Sequence, residues 1–404
     1  MSLNETPRAN RVHIAFFGRR NAGKSSLINA VTGQEIALVS SVKGTTADPV
    51  YKPMELLPVG PVVIIDTAGL DDVGELGELR KQKTLEVLHK TDLAVLVVDA
   101  EIGLTQFERE TADIIRGKKI PAIGVINKTD KKKVSGTTVK EYGEQLNMPI
   151  VLVSALKSQG VEELKKAIID VLPEEKDKFK IVGDLISPGE MAVLVVPIDG
   201  AAPKGRLIMP QQQTIRDIMD NGGMAVVVKE TGLKQALGNL AQKPKLVITD
   251  SQVFQQVARD TPDDIFLTSF SILFARNKGD LGELVKGART ISRLKDGDKV
   301  LIAEACTHHR QPEDIGRVKI PKWIEQKTGK DIIFEFSNGV SFPDNLREYA
   351  LVVHCGGCML NKKAMHYRIE QAVAAQVPIV NYGVLIAYVQ GILDRAIEPF
   401  SISF

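Results

Sequence analysis

Residues 12–25 read VHIAFFGRRNAGKS, an apolar run followed by a glycine-containing loop sequence. VHIAFF is mostly apolar and is typical of a buried β-strand. The rest matches G-x-x-x-x-G-K-S, in which the glycines let backbone N–H groups point at phosphate oxygens. Lys24 can then reach the β- and γ-phosphates, and Ser25 can bind Mg²⁺. A glycine-rich turn is the alternative, but the position between a predicted strand and a predicted helix favours a phosphate-binding loop.

Three further motifs follow, each after an apolar run. DTAG at 66–69 follows VVII, so Asp66 can hold Mg²⁺ through water and the Gly69 N–H can contact a γ-phosphate. NKTD at 127–130 ends AIGVI, and the Asp130 carboxylate can accept two hydrogen bonds from guanine, a pair that adenine does not offer. SA at 154–155 follows IVLV and can bring a backbone amide to guanine O6. The order of these motifs predicts a guanine nucleotide site.

Together the motifs resemble the translation-factor-like branch of the P-loop GTPases, which includes the Era and tRNA-modification GTPases. The resemblance covers residues 11–172 and implies a Ras-like fold that hydrolyses GTP with Mg²⁺. GTTAD at 44–48 is similar to the first switch, with Thr46, or its neighbour Thr45, reaching Mg²⁺. Residues 70–80 are similar to the second switch.

Two residues within this resemblance bear on the rate of hydrolysis. Leu70 stands where Ras-like enzymes carry a water-orienting Gln, so we expect slow intrinsic hydrolysis. Asn21 matches the residue that binds K⁺ in tRNA-modification GTPases, which implies stimulation by K⁺, although a turn-forming role explains it equally well. The predicted catalytic residues are Lys24, Thr46, Asp66 and Gly69, with Ser25 and Thr46 as Mg²⁺ ligands. The predicted nucleotide-binding residues are Asn21, Ala22, Gly23, Lys24, Ser25, Ser26, Asp66, Gly69, Asn127, Lys128, Asp130, Ser154 and Ala155.

Length and charge limit the remaining possibilities. A chain of 404 residues with 44% apolar content suggests about three domains. The 52 basic and 50 acidic residues nearly cancel, so no global field exists to hold nucleic acid or a membrane, and we expect neither as a partner. The N-terminal residues lack the pattern of a signal peptide, and no run approaches the ~18 apolar residues of a membrane span. We therefore expect a cytoplasmic protein.

Alternating strand and helix patterns predict an α/β fold with three α/β domains. The first, residues 1–176, is predicted to be a Ras-like P-loop GTPase domain with a mostly parallel sheet. The charged run EEKDKFK at 174–180 indicates a linker, and the breaker-rich RDTPDD at 259–264 indicates a second boundary. The sequence thus predicts further domains at 177–262 and 263–404.

The chain has only three cysteines, which argues against a disulfide framework. Cys306 follows the strand-like KVLIAEA, and Cys355 follows ALVVH, with Cys358 three residues later. Because the carboxyl ends of parallel strands line one edge of a sheet, the two segments could meet there. His308, His309 and His354 all lie within three residues of a cysteine. The pattern therefore allows one three-thiolate site.

Four interpretations compete for these cysteines. Buried structural thiols do not explain the adjacent histidines, and a CxxC redox pair leaves Cys306 unexplained. A Cys₃His site suits Zn²⁺. A [4Fe–4S] cluster held by three thiolates leaves one iron for a His, a carboxylate, solvent or an incoming ligand. Composition alone leaves zinc and iron–sulfur open.

A GTPase domain joined to CTH at 306–308 and HCGGC at 354–358 resembles the HydF family of GTPase scaffolds in [FeFe]-hydrogenase maturation, over almost the whole chain. Residues 196–220 are similar to that family's dimerisation domain, which implies a homodimer. The resemblance implies that Cys306, Cys355 and Cys358 bind a [4Fe–4S] cluster, with His308 or His354 as a candidate fourth ligand. It also implies that a di-iron precursor made by radical-SAM maturation enzymes passes to apo-[FeFe]-hydrogenase. The alternative is an Era-like GTPase that acts on tRNA or ribosomal RNA and carries a structural zinc domain.

Overall fold

The computed structural model describes residues 10–33, 50–57, 59–67, 85–172, 180–198, 207–305, 314–339, 342–343, 345–357 and 360–400. The chain divides into two compact units between residues 177 and 178, within the charged segment predicted as a linker. None of the described helices is long enough and apolar enough to span a bilayer.

The first unit is built on one mixed sheet. Its strands are β1 (Val12–Gly18), β2 (Val50–Leu56), β3 (Gly60–Asp66), β4 (Leu93–Asp99), β5 (Ala122–Asn127) and β6 (Ile150–Leu152). Its helices are α1 (Lys24–Thr32), α2 (Gln106–Gly117), α3 (Gly136–Leu146) and α4 (Val161–Val171). The strand order is β2-β3-β1-β4-β5-β6, and only β2, at the edge, runs antiparallel among these pairings.

The sequence of β4 explains its central place in this sheet. Every residue of LAVLVVD is buried, as a strand covered by helices on both faces requires. Val95 packs into the apolar core on one face and Leu96 into the core on the other. The predicted α/β class, with a Ras-like domain and a mostly parallel sheet, is confirmed; β2 was not predicted.

The second unit contains two parallel four-stranded sheets. The strands of the first are β7 (Met191–Val195), β8 (Met224–Val228), β9 (Leu246–Thr249) and β10 (Phe266–Ser269), in the order β10-β9-β7-β8. Those of the second are β11 (Lys299–Glu304), β12 (Ile333–Asn338), β13 (Leu351–His354) and β14 (Ile379–Asn381), in the order β12-β11-β13-β14. The helices are α5 (Met209–Asp220), α6 (Leu233–Asn239), α7 (Phe254–Asp260), α8 (Phe270–Lys278), α9 (Leu281–Thr290), α10 (Ile320–Thr328), α11 (Lys362–Ala374), α12 (Tyr382–Val389) and α13 (Leu393–Ile397).

One apolar core joins the two sheets of this unit. It includes Val193 and Val247 of the first sheet and Val300 and Val352 of the second. The sheet formed by β7–β10 continues past residue 262, where the sequence predicted a boundary, because the RDTPDD segment turns from α7 into β10 rather than leaving the fold. The division of the chain into three domains itself stays a prediction.

Candidate functional site

The phosphate-binding loop connects β1 to α1, and its two glycines pack closely against the Val97 backbone and the Asn127 side chain. A Cβ at Gly18 would lie 2.5 Å from the Val97 carbonyl oxygen, and one at Gly23 would lie 2.3 Å from the Asn127 Nδ2 atom. Gly23 also has a φ of +87°, which favours glycine. The buried Lys24 ammonium donates to the carbonyl oxygens of Gly18 at 2.8 Å and Arg19 at 2.9 Å. The lysine therefore lies across the loop, where the motif predicts that it contacts phosphate.

The predicted Mg²⁺ corner joins the start of α1 to the end of β3. Ser25 Oγ donates to Asp66 Oδ2 at 2.7 Å, so the hydroxyl and the carboxylate meet. Burial raises the pKa of Asp66, and the Ser25 hydrogen bond and the Lys24 charge oppose that rise. Both oxygens are hard donors suited to Mg²⁺. Ser26 lies half-buried in the first turn of α1.

The predicted base corner is held to the phosphate loop by one amide side chain. Asn127 Nδ2 donates to the Ala22 carbonyl oxygen at 3.0 Å, and Asn127 Oδ1 accepts from the Ala155 N–H at 3.1 Å. Ser154 Oγ donates to Asp130 Oδ1 at 2.5 Å and lowers the pKa of that carboxyl. The arrangement brings the three described motifs together and keeps Asp130 as the anion that guanine needs. Asn21, with a φ of +62°, lies in the same loop.

Several predicted residues of this site lie outside the described residues. They are Thr46 with its alternative Thr45, Gly69, and the two switch segments at 44–48 and 70–80, including Leu70. Their roles stay predictions.

The structure adds two ion pairs that the motif analysis missed. Lys128 Nζ lies 2.6 Å from Asp99 Oδ2, at the end of β4. Arg19, in the phosphate loop, donates from Nε to Glu108 Oε1 at 2.7 Å, and the Glu108 side chain is fully buried. Glu108 also accepts from the Thr105 N–H at 2.9 Å and so caps α2. The T-x-x-E pattern at 105–108 signals the cap, but not its arginine partner.

The cysteine edge lies at the carboxyl ends of β11 and β13, which are adjacent and parallel. The half-buried Cys355 directly follows β13, and its Sγ accepts a hydrogen bond from the Ala305 N–H at 3.2 Å. Ala305 immediately precedes Cys306 in the sequence. The two cysteine-bearing segments therefore leave neighbouring strands at one edge. Cys306, Cys358, His308 and His309 lie outside the described residues, and among the described ones no three His, Cys, Asp or Glu side chains group as metal ligands.

His354 is fully buried with both ring nitrogens engaged. Nδ1 lies 2.6 Å from the Cys355 carbonyl oxygen, and Nε2 lies 2.7 Å from Arg368 Nη1. Because a guanidinium only donates, Nε2 accepts and the ring proton is on Nδ1. Burial first, and Arg368 second, lower the pKa of His354 to about 3. In this arrangement His354 could ligate a metal through Nε2 only after Arg368 moved away.

A second polar group lies beside this edge. The buried Glu304 is two residues before Cys306, and Tyr382 Oη donates to its Oε1 at 3.2 Å. Gly316 packs beneath the pair, since a Cβ there would lie 2.2 Å from Tyr382 Oη. Burial and the Glu304 charge raise the pKa of Tyr382. Glu304 and Tyr382 were not among the predicted site residues.

Comparisons with known proteins match one region of the first unit and two regions of the second. A 50S ribosome-binding GTPase family model matches residues 13–128. The hydrogen maturase F dimerization domain matches residues 181–279, and the hydrogen maturase F tetramerization domain matches residues 282–399. The first unit is thus a GTPase, and the second carries regions whose family models are named for oligomerisation.

Curated relatives match the GTPase part. GTPase Der of Mycoplasmopsis pulmonis is 39% identical over 170 residues, which are 39% of this chain and 39% of that protein. The tRNA modification GTPase MnmE of Desulfotalea psychrophila is 37% identical over 164 residues, covering 40% of this chain and 34% of that protein. The chain therefore spans about two fifths or less of these relatives' length.

Among solved structures, Aquifex aeolicus Era bound to GDP·AlF₄⁻ is 21% identical, with a TM-score of 0.38, and covers 54% of this chain and 92% of that one. The family models match both units, and those of residues 181–279 and 282–399 are specific to hydrogen maturase F. The chain belongs to the hydrogen maturase F (HydF) family of hydrogenase maturation GTPases.

Proposed function

We propose that the chain is a GTP-hydrolysing scaffold that binds a [4Fe–4S] cluster and delivers a di-iron precursor to apo-[FeFe]-hydrogenase. Radical-SAM maturation enzymes would assemble that precursor, and a cytoplasmic homodimer would carry it. The observation that carries this proposal is one chain that joins a GTPase unit to the two hydrogen maturase F regions. The RNA-directed alternative is less favoured, because the Der and MnmE relatives match only about 40% of the chain.

The nucleotide site supports the hydrolytic part of the proposal. Lys24 would neutralise the β- and γ-phosphates, and Ser25 with Asp66 would hold Mg²⁺, Asp66 through water. Thr46 and Gly69 would complete the γ-phosphate contacts from the switch segments. Asp130 would select guanine by accepting hydrogen bonds from its N1–H and amino group.

We expect K⁺ to accelerate hydrolysis, because the residue after DTAG is Leu70 and cannot orient water as a Gln would. Asn21 would contribute to the K⁺ site. GTPase rates in K⁺ and Na⁺ buffers of equal ionic strength test this, and equal rates would remove the K⁺ site from the proposal.

The cysteine edge fits an iron–sulfur cluster in its donor chemistry. Thiolates are the donors that such clusters prefer, and hydrogen bonds to a ligating sulfur tune the cluster. The Ala305 N–H donates to Cys355 Sγ and would have this effect on a bound cluster. Cys306, Cys355 and Cys358 would hold the cluster. When bound, the cluster would supply an iron with an exchangeable fourth position at which a precursor could be held and released.

The identity of the fourth ligand of the cluster is the most detailed part of the proposal. His308 follows Cys306 by two residues and is one candidate. His354 is the other, but its Nε2 accepts from Arg368, which makes it the weaker candidate in this arrangement. Exchange at an open iron is tested by adding cyanide or imidazole to reconstituted protein. An unchanged spectrum, or four protein thiolates on the cluster, would contradict the carrier role.

GTP would act as a switch, because γ-phosphate and Mg²⁺ order switch segments that relax on hydrolysis. The deciding experiment measures dissociation of the apo-hydrogenase and radical-SAM partners in GTP, GDP and no nucleotide, together with hydrogenase activation. The proposal predicts nucleotide-dependent dissociation and no activation by Cys355→Ser. Identical dissociation rates would refute the coupling, and full activation by Cys355→Ser would refute the cluster's role in delivery.

A further inference from the structure

A buried guanidinium lies behind the cysteine edge. Arg368, on α11, is only 3% exposed. Its Nη1 bonds His354 Nε2 at 2.7 Å, its Nη2 donates to the Gly339 carbonyl oxygen at 2.9 Å, and its Cζ lies 5.2 Å from the centre of the Phe342 ring. These contacts come from different segments and fix the planar fork, so the position of the charge is set by the fold.

A short chain of hydrogen bonds leads from this arginine to a predicted cluster ligand. Arg368 donates to His354 Nε2, and His354 Nδ1–H donates to the Cys355 carbonyl oxygen at 2.6 Å. The first bond fixes the tautomer that the second one needs. Arg368 therefore sets the orientation of the Cys355 peptide through the histidine ring.

Charge provides a second link between the same residues. Burial lowers the pKa of Arg368, and a thiolate at Cys355 would act in the opposite direction. Because Arg368 is hydrogen-bonded to His354, the residue directly before Cys355, its positive charge lies where it can stabilise a thiolate at Cys355. Inside a protein, where the effective dielectric is low, such an interaction is stronger than it would be in water.

We propose that Arg368 is a positioning residue that orients Cys355 and favours the one-electron-reduced form of the cluster, an inference that rests on the proposed function. A cluster held by thiolates is already anionic, and each added electron increases its negative charge. A fixed positive charge stabilises the reduced form more than the oxidised form, and nearby charge is one of the terms that set cluster potentials. Removing that charge lowers the reduction potential.

The test is a mediated redox titration of the reconstituted full chain, in which the cluster takes one electron from the mediator and its EPR signal is followed. Arg368→Met removes the charge, and Arg368→Lys keeps the charge but cannot reproduce the two guanidinium hydrogen bonds. Arg395→Met is the control. Arg395 is in the same unit and donates to the carbonyl oxygens of Ala258, in α7, and Thr261, in the turn that follows this helix.

We expect Arg368→Met to shift the reduction equilibrium at least about tenfold towards the oxidised form, which is about 59 mV for one electron. Arg368→Lys retains most of the wild-type potential, and Arg395→Met matches the wild type. Should the methionine variant not fold, Arg368→Gln, which is also uncharged but can still donate to one partner, carries the same prediction. An unchanged potential in the uncharged variants with full iron content overturns the inference alone. A wild-type chain that takes up no iron overturns the cluster proposal, and this inference with it.

Discussion

Glu108→Gln is the sharpest test of how the phosphate loop is held. The substitution keeps the volume of the side chain but removes its charge. Arg19, 16% exposed, then loses the carboxylate that lies 2.7 Å from its Nε. The cap of α2 is weakened as well, because Glu108 Oε2 accepts from the Thr105 N–H and hydroxyl.

The expected cost follows from burial. Removing one partner of a fully buried ion pair costs about 3–5 kcal/mol, because the remaining charge is left without compensation. Arg19 retains some contact with water, so part of this cost is relieved, whereas a weakened helix cap adds up to about 1 kcal/mol. We expect a net loss of about 2–4 kcal/mol in the free energy of local opening. Since each 1.4 kcal/mol is about tenfold, amide protection should fall roughly 30- to 700-fold.

The assay is native-state hydrogen exchange read by mass spectrometry in peptides that cover the phosphate loop and α2. Glu110→Gln is the matched control, since Glu110 is an exposed acid on the same helix whose side chain accepts from Gln106 Nε2 at 3.1 Å. The control should change protection by less than about 0.5 kcal/mol. Equal protection in the two variants would refute the argument that the Arg19–Glu108 pair holds the loop.

Three further predictions concern specificity, pH and packing. Asp130→Asn should weaken GTP binding by about a hundredfold and favour xanthosine triphosphate in competition assays, because the amide donates where the carboxylate accepted; unchanged GTP affinity contradicts the base assignment. Burial first, and the Lys118 charge second, lower the pKa of His89 from 6.5 to about 4. As the pH falls from 6.5 towards 4, His89 therefore binds a proton in the unfolded chain but not in the folded one, and the stability of the fold decreases. His89→Gln should therefore reduce the loss of stability between pH 7 and pH 5 by about 1 kcal/mol, a value that is discounted because the ring is half-exposed. Urea unfolding of the first unit, monitored by its susceptibility to proteolysis, measures this, and a pH dependence equal to that of the wild type would contradict the prediction. Gly287→Ala would place a Cβ 2.0 Å from the Ile379 carbonyl oxygen and should destabilise the second unit by about 2–3 kcal/mol in the same assay. Gly238→Ala is the control, since no atom lies within 4 Å of a Cβ at that position, and it should be neutral or slightly stabilising. Equal effects of the two substitutions would contradict this prediction.

Sequence patterns predicted the elements whose structure follows from signals within the element itself. The phosphate loop was predictable because its glycines and its place after an apolar strand are local signals. β4 was predictable because LAVLVVD is a continuous apolar run. The strands that lead to Cys306 and Cys355 were predictable for the same reason, and their shared edge follows from the rule that parallel strands align their carboxyl ends.

Other elements carry weaker signals. β2 contains Pro53 and charged residues that are tolerated because it is an antiparallel edge strand, but that make it a poor match to a buried strand pattern. α12 is almost uniformly apolar, so it has no helical period to detect. Its burial is explained only by tertiary packing, as where Gly383 lies against Ser271.

The supporting residues of both sites were not predictable, because their partners are distant in sequence. Arg19 and Glu108 are 89 residues apart, and Tyr382 and Glu304 are 78 apart. Arg368 and His354 are only 14 apart, but no spacing rule connects a helix to the end of a strand before it. Sequence motifs therefore predict the residues that would contact ligands, whereas the residues that position those side chains are identified only from the structure.

The most direct measurement of the central claim is the metal content of the chain after anaerobic reconstitution with iron and sulfide. Wild-type protein and the single Cys306→Ser, Cys355→Ser and Cys358→Ser variants are compared after gel filtration. We expect about four iron and four sulfide per wild-type chain, a brown colour with a broad band near ~400 nm, and loss of that content in each variant. A colourless wild-type chain that holds zinc, or a cluster that survives the loss of Cys306, would contradict it.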